Sequence, residues 1–104
     1  MVAGNRLIKE WVAYGGRVIY TDAETTVIER DEEFLILLNN GILHLTKDRI
    51  MVLIGGRRHT ATIPLRGRPR RGAALKTALD VLSELPNNIV GYMLNKLPVL
   101  ATIS

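Results

Sequence analysis

The stretch that decides the fold is Phe34-Leu35-Ile36-Leu37-Leu38, followed by Asn39-Asn40-Gly41, Ile42-Leu43-His44-Leu45-Thr46, Lys47-Asp48, and Arg49-Ile50-Met51-Val52-Leu53-Ile54. Each apolar run is short and rich in aliphatic and β-branched residues, and each break holds turn-forming residues, so the reading is strand, tight turn, strand. Two of the runs, Phe34–Leu38 and Ile50–Ile54, are apolar at every position. A strand with one wet face alternates, so these two must be covered on both faces. The helices can cover one face. The other is closed either by strong curling of the sheet or by a second subunit.

Outward from this centre the same pattern holds. Arg17–Thr21, Thr25–Arg30 and Arg57–Ile63 are further strand candidates, separated by Asp22-Ala23-Glu24, Asp31-Glu32-Glu33 and Gly55-Gly56. Asn and Gly tolerate the positive φ that two-residue hairpins need, so neighbours pair antiparallel. Arg58, Thr60 and Thr62 alternate with His59, Ala61 and Ile63, as a half-solvated strand would. On the N-terminal side, Leu7, Ile8, Trp11 and Val12 form one helical stripe, which predicts a helix over Asn5–Tyr14 with Asn5 as its cap and Gly15-Gly16 ending it. On the C-terminal side, Leu75, Ala78, Leu79, Leu82 and Leu85 form a second stripe stopped by Pro86, and Ile89, Val90, Met93, Leu94 and Leu97 a third stopped by Pro98. The tail from Val99 to Ser104 is apolar enough to need a docking place. The fold class is therefore α+β: an N-terminal helix, an antiparallel meander of four to six strands, and two C-terminal helices packed on the sheet.

At 104 residues the chain fits a single domain, 1–104, with one core. Hydrophobic residues at 47% and charged residues at 23% exclude a disordered or fibrous chain. No apolar run is long enough for a membrane-spanning helix, no secretory leader is evident, and there is no cysteine, all of which fit a cytoplasmic protein. Gln is absent and Arg outnumbers Lys ten to four, the drift of heat-adapted proteins, although Asn39-Asn40-Gly41 is prone to deamidation.

The formal net charge of +4 hides a separation. Asp22, Glu24, Glu29, Asp31, Glu32 and Glu33 face Arg30 alone, whereas Arg49, Arg57, Arg58, Arg66, Arg68, Arg70, Arg71 and Lys76 occupy a stretch with no acid. Part of that stretch, the basic connection 64–72 between sheet and C-terminal helices, carries two Pro and two Gly and reads as extended. Crowded cations repel one another, and a polyanion relieves the repulsion. Guanidinium also donates two parallel hydrogen bonds to phosphate. The competing readings are a solvated loop and a protein–protein contact. Arg57, Arg58, Arg66, Arg68, Arg70, Arg71 and Lys76 are the candidate phosphate contacts. Trp11, Tyr14 and Tyr20 are the candidate stacking residues; the competing reading is core, evenly balanced for Tyr14 and Tyr20 and the favoured one for Trp11. No base-reading motif accompanies them.

Catalytic and metal chemistry find no constellation. His44 and His59 have only Asp48 as a third ligand candidate, Ser83 and Ser104 lack a nucleophile motif, and Gly55-Gly56-Arg57-Arg58 lacks the Lys-Ser/Thr pair of a phosphate loop. The expectation is a non-enzyme with no cofactor and no metal. It binds nucleic acid, preferring single strands of DNA or RNA without sequence selection. The alternative is a homo-oligomeric interaction module. A homodimer or larger oligomer is compatible with both, and no membrane partner is expected.

The layout of Asn5–Tyr14, Arg17–Ile63 and Gly72–Leu97 resembles the archaeal ThermoDBP-type single-stranded DNA-binding proteins and their shorter relatives. That resemblance implies an antiparallel sheet packed with helices, binding single strands in a cleft of basic and aromatic residues. The sequence lacks the long charged coiled-coil extension by which larger members dimerise.

Overall fold

A computed structural model describes residues 2–64 and 71–102. Helix α1 (Val2–Ala13) leads into six strands, β1 (Arg17–Thr21), β2 (Thr26–Arg30), β3 (Glu33–Leu38), β4 (Gly41–Leu45), β5 (Arg49–Ile54) and β6 (Arg57–Thr62). Helices α2 (Ala73–Glu84) and α3 (Asn87–Lys96) follow, and a final 3-10 turn spans Pro98–Thr102. The strands form one sheet in chain order, antiparallel throughout. Asn5 lies inside α1 and not at its cap.

The doubly apolar strands are explained by helices on both faces. One face carries Val27, Phe34, Ile36, Leu43, Leu45, Ile50 and Val52, packed against Ala74, Ala78 and Val81 of α2 and Met93 of α3. Leu97 and Leu100 close the same core, so the apolar tail docks where its hydropathy requires. The other face carries Ile28, Leu35 and Leu37, covered by Trp11, Leu7 and Ile8 of α1. Neither a curled sheet nor a second subunit is needed there, because α1 crosses to the face that α2 and α3 leave free. Its cover is incomplete: Met51 and Leu53 stay half-buried. One helix is about 10 Å wide and strands lie about 4.8 Å apart, so it spans two or three strands of six.

Two glycine sites set the hairpins. Gly55 and Gly56 both take positive φ (58° and 76°), the left-handed pair that a two-residue hairpin demands. Gly41 serves a different need. It has no positive φ; a Cβ there would collide with the Leu53 carbonyl oxygen and sit 3.1 Å from Ile54 Cα. The expected φ tolerance of Asn39-Asn40 is not used either, since Asp31 is the only non-glycine with positive φ among the described residues. At the edge, β1 shifts register between Val18 and Tyr20, a bulge that turns both Ile19 and Tyr20 toward the core under α3.

A polar clamp ties α3 to the sheet. Glu29 is 8% exposed and accepts from the Tyr92 hydroxyl at 2.6 and 2.8 Å and from Arg17 Nε at 3.0 Å. Arg17 Nη2 also donates to the Tyr92 oxygen at 2.7 Å. Burial pushes the Glu29 carboxyl up, but the Tyr92 and Arg17 hydrogen bonds and the charges of Arg17 and Lys96 outweigh it and hold it below the usual range. The Tyr92 ring meets Phe34 edge-on, centroids 6.4 Å apart, so the same side chain joins apolar core and polar clamp.

Candidate nucleic-acid interface

Strand β6 pairs with β5 on one side and forms an edge of the sheet on the other. The pairing Leu53↔Arg58, Met51↔Thr60 and Arg49↔Thr62 puts Arg58, Thr60 and Thr62 on the face shared with α1. Arg57, His59 and Ala61 pair with Ile54, Val52 and Ile50 and so lie on the face of α2 and α3. Ile63, just past the strand, is buried, with its N–H donating to the Asp48 carbonyl at 2.8 Å. Arg71 and Gly72 then lead into α2, whose start has no side-chain cap and no acid in its first turn. The unpaired amides of such a start carry partial positive charge.

Between β6 and the start of α2 lies a recess of about 680 Å³, with Arg58, His59, Thr60, Thr62, Arg71 and Gly72 among its lining. No carboxylate lines it among the described residues. Arg57 and Lys76 are exposed beside it in the chain, at the β5–β6 turn and in the first turn of α2. The ion pairs of Arg and Lys among the described residues are Arg17 with Glu29 and Arg30 with Glu33, and His44 Nε2 lies 3.5 Å from a Glu33 carboxylate oxygen. Arg57, Arg58, Arg71 and Lys76 therefore form no ion pair among the described residues. Arg66, Arg68 and Arg70 lie outside the described residues, as does most of the connection 64–72.

The aromatic candidates fall elsewhere. Trp11 is 8% exposed, with the Arg30 guanidinium 4.1 Å from its ring centre and His44 meeting it edge-on. The ring is buried and Arg30 covers a face of it. Tyr20 is half-buried against the α3-side core and its hydroxyl donates to Asp22, which raises the Tyr20 phenol and lowers the Asp22 carboxyl. Tyr14 is open, 76% exposed at the end of α1. Helix α1 packs on β1 and β2, at the far edge of the sheet from β6, and Tyr14 does not line the recess. Thus Arg58 and Arg71 line one recess, Arg57 and Lys76 neighbour its lining in the chain, and none of the three aromatics lines it. His59, Thr60 and Thr62 join the recess without having been singled out as site residues; their signal was their alternation along the strand that carries Arg58.

The two histidines lie on opposite faces of the sheet, His44 opposite Met51 and His59 opposite Val52. No cluster of three metal-ligating side chains occurs among the described residues, and no helix of theirs is long and apolar enough to cross a membrane.

Fold and charge together define a small α+β protein with a six-stranded meander and a cationic sheet edge. Compared with family models, curated proteins and solved structures, the chain matches none.

Proposed function

We propose that this protein binds single-stranded nucleic acid without sequence selection, through the cations at the β6 edge, the start of α2 and the segment between them. The observation that carries this reading is the recess itself, cationic on both walls, free of carboxylate among its described lining, and flanked by Arg57 and Lys76. The uncapped helix start adds to the same field. Phosphate contacts of this kind need no entry into a groove, so the preference for single strands is tested by comparing a single strand with a duplex of equal length. Fluorescence anisotropy with a labelled oligo-dT tests it. Seven phosphate contacts set an upper bound of about −5 on the slope of log affinity against log salt. Single substitution of Arg58 or Arg71 by Ala should flatten the slope by about 0.7. Absence of binding at low salt, a slope near zero, or tighter binding of a duplex of equal length refutes the reading.

A second reading has its own observation. Met51 and Leu53 remain half-buried beyond the reach of α1, and Val12 and Val18 are 49% and 42% exposed on the same side of the sheet. Self-association over that face would cover them. Light scattering across a hundredfold range of concentration separates the two, a strict monomer removing this alternative.

A further inference from the structure

The turns 22–25, 39–40 and 55–56 all fall at one end of the meander, since each joins an odd-numbered strand to the next even one. Between these turns and α1 lies a cleft of about 500 Å³. Its floor is apolar: Leu7 and Ile8 from α1, Leu37, Ile42 and Leu53 from β3, β4 and β5. All but Leu37 are only half-buried, so the fold leaves their surface in contact with water.

The rim has the opposite sign to the net charge of the chain. Asp22 and Glu24 stand on it, and no Lys or Arg lines it among the described residues. Asp22 is fixed in place, accepting from the Tyr20 hydroxyl and, at 2.7 Å each, from the backbone N–H groups of Glu24 and Thr25. Those neutral donors hold its carboxyl below the usual range, so the charge is kept and not cancelled. Glu24 is exposed and makes no ion pair among the described residues. Asn39 and Asn40 on the neighbouring turn add amide oxygens as acceptors.

A concave, mostly apolar cavity of this size with a few polar groups at its mouth has the form of a small-molecule site. Here the floor selects an apolar body and the rim a positive charge. A low-dielectric floor beneath a fixed carboxylate strengthens that attraction relative to open water. We propose that the cleft binds a small amphipathic cation, a primary ammonium carried on an apolar body of about one ring. The cleft shares no lining residue with the recess at β6, so this inference stands apart from nucleic-acid binding.

The probe is 2-phenylethylamine, with 2-phenylethanol as its neutral counterpart, titrated into the isotopically labelled full chain and followed by amide chemical shifts. The amine is expected to move the amides of Ile42, Gly55 and Gly56 saturably, and the alcohol to bind several-fold more weakly. Glu24→Gln should weaken the amine by about two- to fivefold, the range of one exposed ion pair, and leave the alcohol unchanged. Leu53→Arg, at a half-buried position, should abolish both while circular dichroism shows the fold retained. Equal affinity for amine and alcohol, an unchanged affinity in Glu24→Gln, or shifts that lie outside the cleft overturns the proposal. So does a concentration-dependent shift of the same amides without probe, which would mean that a second copy fills the cleft.

Discussion

Replacing Tyr92 by Phe isolates the clamp between α3 and the sheet. The ring and its edge-on contact with Phe34 persist, and only the hydroxyl that donates to Glu29 and accepts from Arg17 is lost. A hydrogen bond to a charged group contributes about 1.5–3 kcal/mol. The lower end applies, because the Arg17 side chain on the outer side of the clamp is 67% exposed and water can reach that side. Glu29 itself keeps Arg17 Nε as a partner. The expected loss at neutral pH is therefore about 1.5 kcal/mol, seen as a fall in Tm of about 6–9 °C for a domain of this size. Glu29 has its folded pKa lowered, so the stability it contributes is present above its unfolded value, about 4.3, and is lost as pH falls through the folded value. The gap between wild type and Tyr92→Phe should narrow over the same acid window. Urea denaturation followed by circular dichroism at pH 7 and at several values below 4 measures both. A gap below about 0.5 kcal/mol at pH 7, or one that stays constant into acid, refutes the assignment.

Gly41→Ala should cost about 1–3 kcal/mol in urea, because its Cβ meets strand backbone at Leu53 and Ile54 that cannot step aside; a neutral result would contradict the close approach. Trp11→Ala should lose about 3 kcal/mol or more and release α1, while oligonucleotide affinity per folded molecule stays unchanged; selective loss of affinity with retained stability would return Trp11 to the role of a stacking residue. Arg57→Ala and Arg71→Ala should change stability by less than about 0.5 kcal/mol, since both are exposed and without ion pairs among the described residues, so weakened oligonucleotide binding in either cannot be charged to misfolding.

Alternation and turn chemistry made the meander legible before any coordinates. Arg17–Thr21 and Arg49–Ile54 are found at the expected ends, three other strands shift by one residue at one end, and the strand expected at Ile42–Thr46 lies one residue earlier at both ends, Gly41–Leu45. Hairpins are local, and each break between apolar runs states where one closes. The cation-rich stretch was legible too, because a run of charge without counter-charge needs no geometry to be noticed. What the aromatics do was not. Trp11 lies on a helical stripe, and a stripe looks the same whether the ring stacks on a base or packs against Arg30 and His44. Glu29 looked like one acid among several in Asp22–Glu33, yet it is buried by a tyrosine more than sixty residues away in the chain.

By itself the sequence determined the order and kind of the elements, the antiparallel pairing, and the need for cover on both faces of Phe34–Leu38 and Ile50–Ile54, all consequences of periodicity within a few neighbouring residues. Only the tertiary structure decided that α1 crosses to the opposite face from α2 and α3, that its width leaves Met51 and Leu53 half open, and that Arg58 and Arg71 line one recess at the β6 edge while Tyr20 lies on β1 at the other edge of the sheet. The physical reason is that local pattern fixes which face of an element is apolar, whereas the side of the sheet on which that element lands depends on how much area remains to be covered once the whole chain has collapsed.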